Sequence, residues 1–181
     1  MIRCLLVLPL VCASLLACSG AGPSGLDANR ADEAGTLTEE SVTDLPAGDA
    51  QTDLGISGAY AMSLALMECG CVDPVFEEFE CGPGGSFGGM DGAEAPIAVL
   101  QDGGALTVEA HRALLSGGIN EDGAFHVGMP IPGIGAFQMS GWFESSELFT
   151  GATGVFEVAG VNPQNGSDCW AAFDMRAEPE A

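Results

Sequence analysis

Four cysteines, Cys69, Cys71, Cys81 and Cys169, are the residues whose type and spacing most directly imply chemistry in this chain. In an exported domain an even number of thiols implies two disulfides. Cys69-Gly70-Cys71 leaves one residue between its thiols, whereas zinc sites generally take two or more, so no metal site is expected there. His111 sits beside Arg112 at a hairpin, and His126 has the parity opposite to Phe125, Val127 and Met129, so both are expected to face solvent. Acid–base catalysis needs a histidine within hydrogen-bond reach of a nucleophile or carboxylate, and nothing in the sequence places these two so. There is also no His-Glu-x-x-His and no phosphate-cradling loop with lysine. No enzyme and no cofactor are expected. The acidic run Asp73 to Glu80 and the loop Asp91-Gly92-Ala93-Glu94 offer hard oxygen ligands, but neither has the spacing of a calcium loop, and both read as solvated faces.

These residues sit in a chain of 181 residues with 26 Asp plus Glu against four Arg and no Lys, a formal charge of −22. Nucleic-acid binders need Lys and Arg to displace counterions from phosphates, so that class is excluded. Polybasic association with anionic lipid is excluded for the same reason. A hydrophobic fraction of 47% is ample for one core.

The first residues read MIRCLLVLPLVCASLLAC: Arg3, an apolar run from Leu5 to Leu16, then Ala17 before Cys18. The run is too short for a standing transmembrane helix and reads as a secretory signal peptide, residues 1–17. Leu15-Leu16-Ala17-Cys18 resembles the lipobox of bacterial lipoproteins. That resemblance implies that Cys18 takes a diacylglyceryl group, that cleavage falls just before it, and that acyl chains hold the mature protein on a membrane. Ser19 after the cysteine, rather than Asp, implies by the same resemblance the outer membrane of a bacterial cell envelope.

From the lipidated cysteine to Gly55, residues 18–55, the composition is Gly, Pro, Ser and Thr with eight acidic residues and no aromatic. Such a segment buries too little apolar surface to offset its ordering entropy, and a disordered acidic tether is expected. Within it, Thr38-Glu39-Glu40-Ser41 is able to seed one helical turn.

Residues 56–181 alternate with the period of half-buried strands and contain no sustained 3.6-residue stripe. Strand 1 places Tyr60, Met62, Leu64 and Leu66 on one face. Strands follow over Ile97 to Gln101, Ala105 to Glu109, Leu114 to Ile119, Phe125 to Met129, Gly135 to Phe143, Thr150 to Val158 and Asp168 to Arg176, separated by turns such as Asp102-Gly103-Gly104. The fold class is therefore all-β: an antiparallel up-and-down meander of about eight strands, forming a small closed barrel, with a β-sandwich as the alternative. Ile56-Ser57-Gly58-Ala59-Tyr60 resembles the Gly-x-Trp opening strand of lipocalins and avidins, with Tyr60 in place of the tryptophan, which favours the barrel. The glycine-rich stretch Gly84 to Met90 reads as a linker between strands 1 and 2, with a lid over the barrel mouth as the alternative.

In a closed meander the end of strand 1 lies beside the start of strand 8. The expected disulfides are Cys69–Cys169 and Cys71–Cys81; the swapped set, Cys71–Cys169 and Cys69–Cys81, is nearly as good. A barrel of this size is either filled by its own side chains or holds one small ligand. If hollow, Tyr60, Met62, Phe125, Met139 and Phe156 are the candidate lining. Two functions follow: a structural or interaction module held on the envelope membrane through its lipid, with an envelope or protein partner, or a carrier of a small apolar ligand in the barrel interior.

Overall fold

Apolar residues recur at every second position through most of Gly58 to Pro179, and short glycine-bearing turns such as Gly103-Gly104 between Asp102 and Ala105 fold several of the runs back on the last. The computed structural model describes residues 37–145 and 150–180. Among the described residues there are eight strands: β1 (Gly58–Cys71), β2 (Glu94–Asp102), β3 (Ala105–Ala110), β4 (Ala113–Ile119), β5 (Ala124–Ile131), β6 (Gly135–Ser145), β7 (Thr150–Val161) and β8 (Asp168–Pro179). Each pairs antiparallel with the next, and β8 pairs with β1, so the sheet closes into an up-and-down barrel rather than a sandwich. Closure leaves no unpaired edge. The β1–β2, β3–β4, β5–β6 and β7–β8 connections lie at one end, called here the loop end.

The inward parity read from sequence is the one observed: Met62, Leu64, Val99, Leu106, Val108, Ile119, Val127, Phe173 and Met175 belong to one buried cluster, joined by Ile97, Leu115 and Val158. Parity breaks once. Between Leu66 and Glu68 the β1–β8 register shifts by one residue at a β-bulge, so that past Met67 the odd-numbered positions turn inward.

That bulge decides the cysteine pairing. Cys69 stands opposite Ala171, whereas Cys71 stands directly opposite Cys169. The bonds are Cys71–Cys169 and Cys69–Cys81, so the first-choice pairing of Cys69 with Cys169 and Cys71 with Cys81 is corrected to the swapped one. Carried on without the shift, the register of Leu66 with Phe173 would set Gly70 opposite Cys169 with Cys69 and Cys71 flanking it, and the one-residue shift is what brings Cys71 into line.

The acidic segment is also corrected over residues 37–55; residues 18–36 and the signal sequence lie outside the described residues. Thr38 caps a single turn, α1 (Glu39–Val42), with the Ser41 amide donating to Thr38 Oγ1 at 3.2 Å and the Thr38 amide to Ser41 Oγ at 3.0 Å. Leu37 and Val42 are buried with Ala136 and Ala159 on the outer barrel wall, against Trp170. The chain then runs along the wall to the end opposite the loops, where the Gly48 amide donates to the Gly104 carbonyl at 2.7 Å and the Ala50 amide to that of Ile119 at 3.2 Å. Ala50 and Ile56 join the main core there. Two strand glycines make room for this strap: a Cβ at Gly128 would lie 2.7 Å from Val42 Cβ, and one at Gly118 2.2 Å from the Gly48 nitrogen. Averaged composition hid the strap because its few apolar residues gain burial only against a wall that exists once the barrel has closed.

Gln101 fastens the strap. Its Oε1 accepts from the Leu54 amide at 2.9 Å, its Nε2 donates to the carbonyls of Thr52 and Gly103 at 3.1 and 2.9 Å, and its own amide donates to Ser57 Oγ at 3.0 Å.

Candidate functional site

Phe173, Leu106, Leu115, Ile119, Met139 and Met175 are fully buried and occupy the barrel axis. The five candidate lining residues, Tyr60, Met62, Phe125, Met139 and Phe156, all lie in this cluster and pack on their neighbours. Tyr60 and Phe125 meet Phe143 with ring centroids 5.9 and 5.2 Å apart, and Phe156 meets Phe137 and Phe173 at 5.8 and 5.9 Å. The Tyr60 hydroxyl donates to the Ile56 carbonyl at 2.7 Å, and burial pushes its pKa up. These side chains build a core.

Hollows lie around the barrel instead. A groove of about 330 Å³ opens at the loop end, lined on its apolar side by Phe87, Met90, Ile134, Phe137, Val158 and Val161 and on its polar side by Glu80, Ser86, Asn162 and Gln164. It lies at the lower limit for small-molecule sites. Two further hollows of about 310 Å³ each flank the strap, one beside Pro46 and Gly118, the other beside Gly55 and Asp122.

The 72–93 segment that walls the groove is ordered by its own sequence. Asp73 Oδ1 accepts from the Val75 amide at 3.0 Å, starting a turn that runs through Pro74 into α2 (Glu77–Glu80). Cys81 follows and is bonded to Cys69. The glycine-rich run after it is not a linker: the Phe87 amide donates to the Glu80 carbonyl at 3.0 Å, and Phe87 and Met90 pack against the core as a fixed cap. Asp91 Oδ1 accepts from the Leu66 amide at 2.8 Å and ties the cap to the bulge.

Glu80 is the residue that sequence reading misplaced. It was expected on a solvated acidic face, yet it is fully buried, and its Oε1 accepts from Asn162 Nδ2 at 2.9 Å, Asn165 Nδ2 at 2.8 Å and Ser167 Oγ at 2.9 Å. The neighbouring Ser86 hydroxyl and then Asn165 outweigh the desolvation that would raise its pKa and, with Ser167 and Asn162 adding to the effect, hold the carboxyl down at about 2. Glu80 Oε2, by contrast, has no partner in good hydrogen-bond geometry among the described residues. An ionised group buried this way is stable only because donors from the β7–β8 loop converge on it. The Asn162-x-x-Asn165-x-Ser167 spacing was the only sequence signal for it.

Ser86 lies in Gly84-Gly85-Ser86-Phe87-Gly88, the Gly-x-Ser-x-Gly spacing of a hydrolase nucleophile elbow. Here the serine sits in a turn of the 72–93 segment beside the Glu80 carboxylate, not at a strand-to-helix elbow. The structure does not bring the two histidines to one element: His111 is in the β3–β4 turn with φ of 61°, and His126 is exposed on the β5 wall, its Nε2 3.1 Å from Gln138 Oε1.

The same end carries exposed apolar side chains. Val75, Val72 and Phe79 are 78%, 77% and 66% exposed, more than any other large hydrophobic residue among those described; Leu100 and Leu114 follow on the β2–β4 wall. Comparison with protein-family models, with curated proteins and with solved structures returns no match for this chain.

Proposed function

We propose that this chain is a lipid-anchored bacterial envelope protein whose disulfide-stapled barrel is an interaction module. The observation that carries the reading is the filled interior, which leaves the outer wall and the end loops as the surfaces available for contact. The wall of β2 to β4 presents Leu100 and Leu114 to solvent and is where a protein partner is best accommodated. Anchoring rests on the lipobox resemblance at Cys18, and Ser19 after it favours the outer membrane. A photo-crosslinking benzophenone side chain introduced in cells at Leu100 or Leu114 should give discrete higher-mass adducts that disappear in the Cys18→Ser background. No adduct at either position would overturn the module reading. Unchanged processing and membrane retention of Cys18→Ser, or under globomycin, would overturn the anchor.

The groove at the loop end favours a second reading, carriage of a small apolar ligand at the barrel mouth rather than in its interior. Native mass spectra of the mature protein decide it: a reproducible non-covalent adduct that leaves on unfolding supports carriage, and a bare mass argues against it.

A further inference from the structure

The strap fixes where the chain reaches the barrel. Leu37, the first described residue, is buried with Ala136, Ala159 and Trp170, which lie near the loop-end termini of β6, β7 and β8. Glu39 Oε1 accepts from the Gly133 amide at 2.6 Å in the β5–β6 turn at the same end. The 18 residues between Cys18 and Leu37 therefore join the barrel at its loop end, and across so short a stretch they separate the two by at most about 65 Å.

The three most exposed large apolar side chains of the described residues, Val72, Val75 and Phe79, lie at this same end. They are held rigidly: the Cys69–Cys81 bond and the Glu80 cluster pin the segment that carries them. Exposed apolar groups on a fixed loop, on the side from which an anchored chain arrives, suit a surface met at high local concentration. Asp73, Glu77 and Glu78 are interleaved with them and exposed, which disfavours anionic headgroups and favours zwitterionic ones.

We propose that Val72, Val75 and Phe79 seat the loop end of the barrel on the zwitterionic lipid surface to which Cys18 anchors the chain. The proposal rests on the anchoring reading and fixes the orientation of the domain, with the β2–β4 wall turned sideways to the membrane. Side chains of this kind enter only the headgroup and upper acyl region, about 5–10 Å deep.

The test uses the full-length lipidated protein in phosphatidylcholine vesicles, with a dansyl side chain at Phe79 or, as control, at Leu100, and with lipids brominated high on the acyl chain. Loss of most of the emission from position 79, little loss from position 100, and weakening of the former by Val72→Ser with Val75→Ser or by added phosphatidylglycerol would support the proposal. Flotation with the vesicles but equal, weak quenching at both positions would overturn it while leaving the anchor intact, and so would a blue-shifted signal at 79 insensitive to bromine, as burial against a protein gives. Failure to float would overturn the anchoring reading and this one with it.

Discussion

Cys71 and Cys169 face each other across the β1–β8 seam with their Cα atoms 4.0 Å apart, so the bond between them locks the first strand of the barrel to the last. The seam is the least local pairing in the fold, and its cross-link encloses almost the whole sheet.

The two disulfides should therefore differ in weight. On the chain-entropy model, removing Cys71–Cys169, with a separation of 98 residues, costs about 4–5 kcal/mol, and removing Cys69–Cys81, with a separation of 12, about 3 kcal/mol. Denaturant unfolding of the paired Cys→Ala variants measures both. A larger loss for Cys69→Ala/Cys81→Ala would show that the 72–93 segment, not the seam, limits stability.

Glu80 should give stability an acid limit. Its folded pKa is depressed from 4.5 to about 2, so the stabilisation it provides is complete above about 4.5 and is lost as pH falls toward 2. Glu80→Gln keeps an acceptor for the three donors and should flatten the pH dependence in that window. Glu80→Ala strands the donors of Asn162, Asn165 and Ser167 and should cost about 2–4 kcal/mol at neutral pH. Urea midpoints from pH 2 to 7 test both variants; a Glu80→Gln curve parallel to wild type would show that the carboxylate charge is not what holds the loop.

Gln101 should govern strap attachment. Gln101→Ala leaves the Leu54 amide and the carbonyls of Thr52 and Gly103 without their partner, at a cost of about 1–3 kcal/mol. Hydrogen exchange should accelerate across residues 48–56 more than in β6 or β7. Uniform acceleration would mean that strap and barrel unfold as one unit.

The sequence by itself determined what depends on neighbours along the chain. Strict alternation at Tyr60, Met62 and Leu64 or at Ala171, Phe173 and Met175 set which face of a strand goes inward, and turn residues such as Asp102-Gly103 set where strands end. The Thr38–Ser41 pairing that caps α1 was likewise written within four residues. Strand number and closure follow from these, because eight meandering strands lose their exposed edges only by closing. Tertiary structure decided everything that depends on a surface absent until the barrel forms. The bulge at Met67 depends on how β1 settles against β8, and it alone selects Cys71 over Cys69 as the partner of Cys169. The strap needs the wall around Ala136, Ala159 and Trp170 before Leu37 and Val42 have anything to bury against. Glu80 can be buried as an ion only after the β7–β8 loop, more than 80 residues away along the chain, brings three donors to it. Local periodicity fixes a strand's inner face, whereas register and the solvation of single charges are collective properties of the closed sheet.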